Sequence, residues 1–88
     1  MTVLRRRVVV GVDDGAHARP VAELARLAQS HLSPVRVTTR SGETADLTSV
    51  LAVMDLAIAS GDEITFEVAD SPEAPALLDA LEAVLSRR

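Results

Sequence analysis

The chain has 88 residues, a net charge of −4 and no cysteine. Its length limits it to one domain, residues 1–88, and such a domain buries only roughly 60–65% of its unfolded surface. Without cysteine there is neither a disulfide scaffold nor a thiolate metal site. All nine basic residues are arginines against thirteen acids, and Phe66 is the only aromatic. An acidic chain with one aromatic offers neither the phosphate-neutralising surface nor the stacking surface that nucleic acid needs. No apolar run approaches the roughly 20 residues that span a bilayer, so membrane insertion is not expected. Met1 to Arg7 carries no hydrophobic segment behind it, which makes a cytoplasmic location the expectation.

The chain opens with a strand pattern over Leu4 to Val12, where Val8, Val10 and Val12 alternate with more polar positions. Within it, Arg5, Arg6 and Arg7 read as solvated strand residues. Asp13, Asp14 and Gly15 break the strand. A first helix is expected from Pro20, with Val21, Leu24, Ala25 and Ala28 inward and Leu32 extending the same spacing. Pro20 suits a first turn, where its missing N–H costs nothing. Glu23, Arg26 and Gln29 fall on the outer face.

Pro34 ends that helical region. Val35, Val37 and Thr39 then alternate with Arg36, Thr38 and Arg40 as a second strand. Ser41 and Gly42 signal a hairpin turn into a short third strand over Glu43 to Asp46. Ser49 to Leu56 reads as a second helix, apolar on almost every side, with Val50, Leu51, Val53 and Met54. After a break near Gly61, Glu63 to Ala69 gives the fourth strand, with Ile64, Phe66 and Val68 inward. The final helix is expected to start with Ser71 as N-cap, followed by Pro72 and Glu73. Its inward face is Ala74, Leu77, Leu78, Leu81, Val84 and Leu85, and Arg87 and Arg88 complement its C-terminal end.

The order strand, helix, strand, strand, helix, strand, helix argues for an α+β two-layer sandwich, an antiparallel sheet with helices on one face. Charge adds the topology. Arg5, Arg7, Arg36 and Arg40 lie on the outer faces of strands one and two, and Glu63 and Glu67 on that of strand four. Opposite charges favour adjacency, so strand four should lie between strands one and two, in the order 1-4-2-3.

Candidate chemistry is concentrated in one hexapeptide, Gly15 to Pro20, read Gly-Ala-His-Ala-Arg-Pro. It puts the His17 imidazole in the turn before a helix, where free backbone N–H groups favour an anion. Arg19 can make charge-assisted bonds to the same anion, and Gly15 permits a tight turn. These are the parts of a site that accepts a phosphoryl group and hands it on. The second histidine, His31, stands at the other end of the helix, so no metal-ligating pair forms. It reads as packing against or solvating that helix end.

The hexapeptide resembles the active-site signature of HPr, the histidine-containing phosphocarrier family of the bacterial sugar phosphotransferase system. The resemblance extends over nearly the whole chain, through the Ser41-Gly42 hairpin, the Ser49 to Leu51 segment and the turn at Gly61 and Asp62. It implies an open-faced sandwich and a carrier, not an enzyme, which takes a phosphoryl group from phospho-enzyme I on Nδ1 of His17. Arg19 would support that group, and enzyme IIA proteins would receive it. Ser49 matches a serine modified by a regulatory kinase in some lineages, although its position is equally that of a plain N-cap. A kinase or phosphorylase is therefore a further implied partner.

The second helix docks partners in that family, which points to Val50, Met54 and Arg26 as contacts and leaves Leu51 for the core. No cofactor is implied, and a monomer is expected. The sequence departs from the family at Asp14, where many relatives carry asparagine, and at Ala18, where some carry a hydroxyl. Arg26 keeps one docking-face charge, whereas Gln29 and Ala52 do not. Two other readings remain open: a regulatory binding module acting through Ser49 and the second helix, and a carrier in a nitrogen-signalling or dihydroxyacetone kinase system.

Overall fold

A computed structural model describes residues 2–11 and 18–86. The elements are β1 (Val3–Val9), α1 (Ala18–Gln29), β2 (Val35–Thr39), β3 (Thr44–Asp46), α2 (Val50–Asp55), β4 (Glu63–Ala69) and α3 (Ala74–Ser86). The strands form one four-stranded sheet in the order β1-β4-β2-β3, with antiparallel pairing throughout. This is the expected α+β sandwich.

The charge argument for strand order is visible side chain by side chain. Arg5 and Arg36 both lie opposite Glu67, on either side of β4. Arg5 Nε donates to Glu67 at 2.7 Å, and Arg7 Nε lies 3.7 Å from Glu63. Such exposed pairs contribute little stability each, at most about 1 kcal/mol. They matter more for register, because strand one beside strand two would set arginines against arginines.

Arg6 departs from the expected solvated role. Alternation turns it to the helix side of β1, where its guanidinium donates to Asp79 and Glu82 of α3, both at 2.8 Å. Its side chain is 30% exposed. The three-arginine run is thus split between two faces by the strand period.

The core is a single aliphatic cluster around Phe66. Val8, Val35, Val37, Ile64 and Val68 come from the sheet, Val21 and Leu24 from α1, Val53 from α2, and Leu77 and Leu81 from α3. Every residue expected on the inner face of α3 is buried. α1 packs against both α2 and α3.

Several boundaries differ from expectation for local reasons. β1 ends at Val9 because Val10 leaves the strand ladder. Its N–H donates to the Asp62 carbonyl and its own carbonyl accepts from Gly61. α1 begins at Ala18, two residues before Pro20, since the first four N–H groups of a helix have no intrahelical partner and the proline removes no bond there. Leu32 does not continue the buried stripe. It lies beyond the helix end and is fully exposed.

α3 starts at Ala74, with Pro75 in its first turn, in place of Ser71 and Pro72. The Ser71 carbonyl accepts from Ala74 N–H, but its hydroxyl is buried with no hydrogen-bond partner among the described residues. Ser71 therefore shapes the preceding turn without capping through its side chain. Val12, Arg87 and Arg88 lie outside the described residues.

Candidate functional site

The stretch that holds Gly15 and His17 runs between Gly11 and Ala18. On the N-terminal side, Gly11 N–H donates to the Leu85 carbonyl near the end of α3 at 2.7 Å. On the C-terminal side, Ala18 opens α1, a 12-residue amphipathic helix. Asp14, Gly15 and His17 lie between them, outside the described residues. Arg19 is in the first turn of α1 and exposed, so its guanidinium is available to an anion at that helix end.

Ser49 is the N-cap of α2. Its hydroxyl accepts from Ala52 N–H at 3.2 Å, and its backbone is extended, with φ −100° and ψ 101°. The capping geometry expected from sequence is present. The other end of α2 is less favourable. Leu56 caps it, and Ala57 follows with φ 54°, a left-handed conformation that suits glycine and costs an L-residue roughly 1 kcal/mol.

The side chains of α2 are distributed differently from expectation. Leu51, assigned to the core from sequence, is 77% exposed, whereas Val53 is the buried one. In a six-residue helix on a sheet only one stripe can turn inward, and Val53 occupies it. Met54 is 40% exposed, and Val50 is half-buried against the core. Arg26 is exposed on the neighbouring α1. The outcome is an apolar surface of Leu51 and Met54 on α2, beside a helix carrying Arg26.

Sequence reasoning missed the residues that hold α2 in place. Asp46 Oδ1 accepts from Thr48 N–H at 2.9 Å and from the Thr48 hydroxyl at 2.7 Å. Gln29 Nε2 reaches from α1 to the Thr48 carbonyl at 3.5 Å. The available signal was an aspartate two residues before a threonine, the spacing of an Asx turn. The Thr48 N–H, then its hydroxyl, and more weakly Arg36, hold the Asp46 carboxyl below its ordinary value of 3.8.

A carboxyl with a lowered folded-state value stabilises the fold fully above its unfolded value, and that contribution is lost as pH falls through the lowered one. Between about pH 5 and about pH 2.5, the wild-type urea midpoint should therefore fall further than that of Asp46→Asn. Equal falls for the two proteins would contradict this assignment.

His31 lies beyond the C-terminal end of α1. Its backbone N–H caps the Ala28 carbonyl, and its Nε2 is buried without a hydrogen-bond partner among the described residues. No group of three or more metal-binding side chains occurs among the described residues. No helix is long and apolar enough to cross a membrane.

Residues 4–87 match the family model for the PTS HPr component phosphorylation site. The chain belongs to the HPr family. It is 38% identical over 74 residues to Phosphocarrier protein HPr of Cupriavidus necator, covering 84% of this chain and 81% of that one. It is 37% identical over 76 residues to Phosphocarrier protein HPr of Streptomyces coelicolor, covering 86% and 81%. The crystal structure of a phosphocarrier protein HPr from Bacillus anthracis superposes with a TM-score of 0.86 at 29% identity, covering 97% of this chain and 99% of that one. HPr membership makes the chain a phosphocarrier-type protein of the phosphotransferase system, and it implies interaction with enzymes of that system.

Proposed function

We propose that this chain accepts a phosphoryl group from phospho-enzyme I on Nδ1 of His17 and passes it to enzyme IIA proteins in the cytoplasm. The observation that carries the reading is the HPr family match over residues 4–87, which spans the Gly15 to Pro20 signature and α2. In the forward step the Nδ1 lone pair attacks phosphorus. The bond from phosphorus to enzyme I breaks, and its electron pair returns to enzyme I. Transfer onward repeats the step with His17 as leaving group, in line and with the ring open to its partner. Arg19, exposed at the start of α1, neutralises charge on the phosphoryl oxygens.

Docking rests on α2. Leu51 and Met54 give it an exposed, adaptable apolar surface of the kind that accommodates several partners, with Arg26 alongside. Leu51→Asp should leave stability within about 0.5 kcal/mol, because the side chain is exposed. It should raise the KM for enzyme I by about tenfold or more, because an unpaired charge is then buried in an apolar contact. Steady-state phosphorylation kinetics check this, and an unchanged KM would contradict the docking role.

Modification of Ser49 by a serine kinase would be regulatory. It would add roughly two negative charges at the start of this same helix and disfavour acidic partners.

The carrier function is tested with the wild-type protein by intact-mass spectrometry. With phosphoenolpyruvate and a cognate enzyme I, the chain should gain one acid-labile phosphoryl group, and it should lose that group when enzyme IIA is added. Failure to gain it from an active enzyme I would favour a dedicated donor or a regulatory module.

A further inference from the structure

We propose that Asp46 is a positioning residue for partner docking, fixing the entry of α2 and thereby the placement of Leu51 and Met54. The proposal rests on the reading of α2 as the docking helix. α2 has six residues, one fully buried side chain, no acid in its first turn and no base in its last. A helix of that length does not hold itself together, so its geometry is set by its ends and its packing. Its C-terminal end runs into the left-handed Ala57. Beside the packing of Val53, the N-terminal end therefore supplies the definition.

Asp46 is where that end is tied to the sheet. It lies opposite Arg36 in the β2–β3 pairing, so its backbone is fixed by the strand ladder. From there its carboxylate accepts both Thr48 donors, and its carbonyl accepts Ser49 N–H at 3.1 Å. Between them, Leu47 N–H donates to the Val35 carbonyl, and the Leu47 side chain is fully buried. The chain thus passes from strand to N-cap with each residue held. Ser49 is delivered with its hydroxyl aimed at Ala52 N–H. Thr48 in turn presents its carbonyl to Gln29 of α1, which links the two helices that flank the proposed docking surface.

The test compares wild type with Asp46→Ala, Asp46→Asn and Thr48→Val. Two quantities are measured: amide exchange at Ala52 and Val53, and KM and kcat for phosphorylation by enzyme I. Asp46→Ala should speed exchange at both amides by about tenfold, the scale of a lost cap. It should raise KM by roughly three- to tenfold and leave kcat within about twofold, because the reacting groups are untouched. Asp46→Asn should stay near wild type, since its amide oxygen accepts the same two bonds. Thr48→Val, which loses only the hydroxyl bond, should shift the same way by less.

Asp46→Ala with wild-type exchange and KM but a lowered Tm would overturn the proposal, as would Asp46→Asn behaving like Asp46→Ala. If enzyme I does not phosphorylate even the wild type, the carrier reading fails. The exchange rates then still decide whether Asp46 fixes α2.

Discussion

His17→Ala will gain no phosphoryl group from phosphoenolpyruvate and enzyme I, while its fold stays that of the wild type. The loss should be complete, because alanine carries no lone pair to attack phosphorus and no other residue can take over. His31 is the sole other imidazole. It lies beyond the far end of α1, two residues past Gln29, with its Nε2 buried. The 12 residues of α1, Ala18–Gln29, stand between the two histidines along the chain. His31→Ala should accordingly accept phosphoryl groups as the wild type does. Stability should be nearly unaffected in His17→Ala, since the substitution leaves the core cluster of sheet and helices untouched. Intact-mass spectra of the three proteins check both statements. A phosphorylated His17→Ala protein would remove His17 from the mechanism.

Phe66→Ala should destabilise the domain more than any other single truncation. Phe66 is completely buried on β4, a central strand, opposite Arg6 on one side and Val37 on the other. It is the largest side chain of a core otherwise made of aliphatics. Removing the ring costs about 3–5 kcal/mol in transfer and cavity energy. Domains of this size have a total stability of only about 5–15 kcal/mol, so the variant should sit near the edge of folding. At about 4–8 °C per kcal/mol, Tm should fall by roughly 12–40 °C. Phe66→Leu, which keeps most of the volume, should cost about 1.5 kcal/mol or less. Thermal melts measure both. A loss below about 1 kcal/mol for Phe66→Ala would mean that the core does not depend on the ring.

The fold was legible because two independent patterns agreed. Period-two alternation in Glu63 to Ala69 and the apolar positions of α3 defined the buried faces, and both match the structure residue for residue. The sign pattern of outer-face charges then selected the strand order, as Arg5 and Arg36 flanking Glu67 make plain. Ends of elements were less legible. Ser71 has the composition of an N-cap, yet the turn through Pro72 and Glu73 consumes its carbonyl and leaves helix initiation to Ala74.

For the candidate site, the Ser49 cap was readable because capping is local in sequence. The orientation of Leu51 was not, because α2 is apolar on almost every side and periodicity cannot choose a stripe in six residues. The Asp46–Thr48 turn had a local signal in its spacing, whereas the reach of Gln29 to Thr48 was hidden, since the two meet only through tertiary packing of α1. The same holds for Arg6, whose partners Asp79 and Glu82 come from the other end of the chain.

Phosphorylation at His17 Nδ1 is read directly by long-range 1H–15N correlation of the histidine rings, recorded before and after treatment with enzyme I. The Nδ1 resonance of His17 alone should move to the position of a phosphorylated nitrogen, with the ring nitrogens of His31 unmoved. A phosphorylated protein in which His17 Nδ1 keeps its original resonance would contradict transfer to that nitrogen.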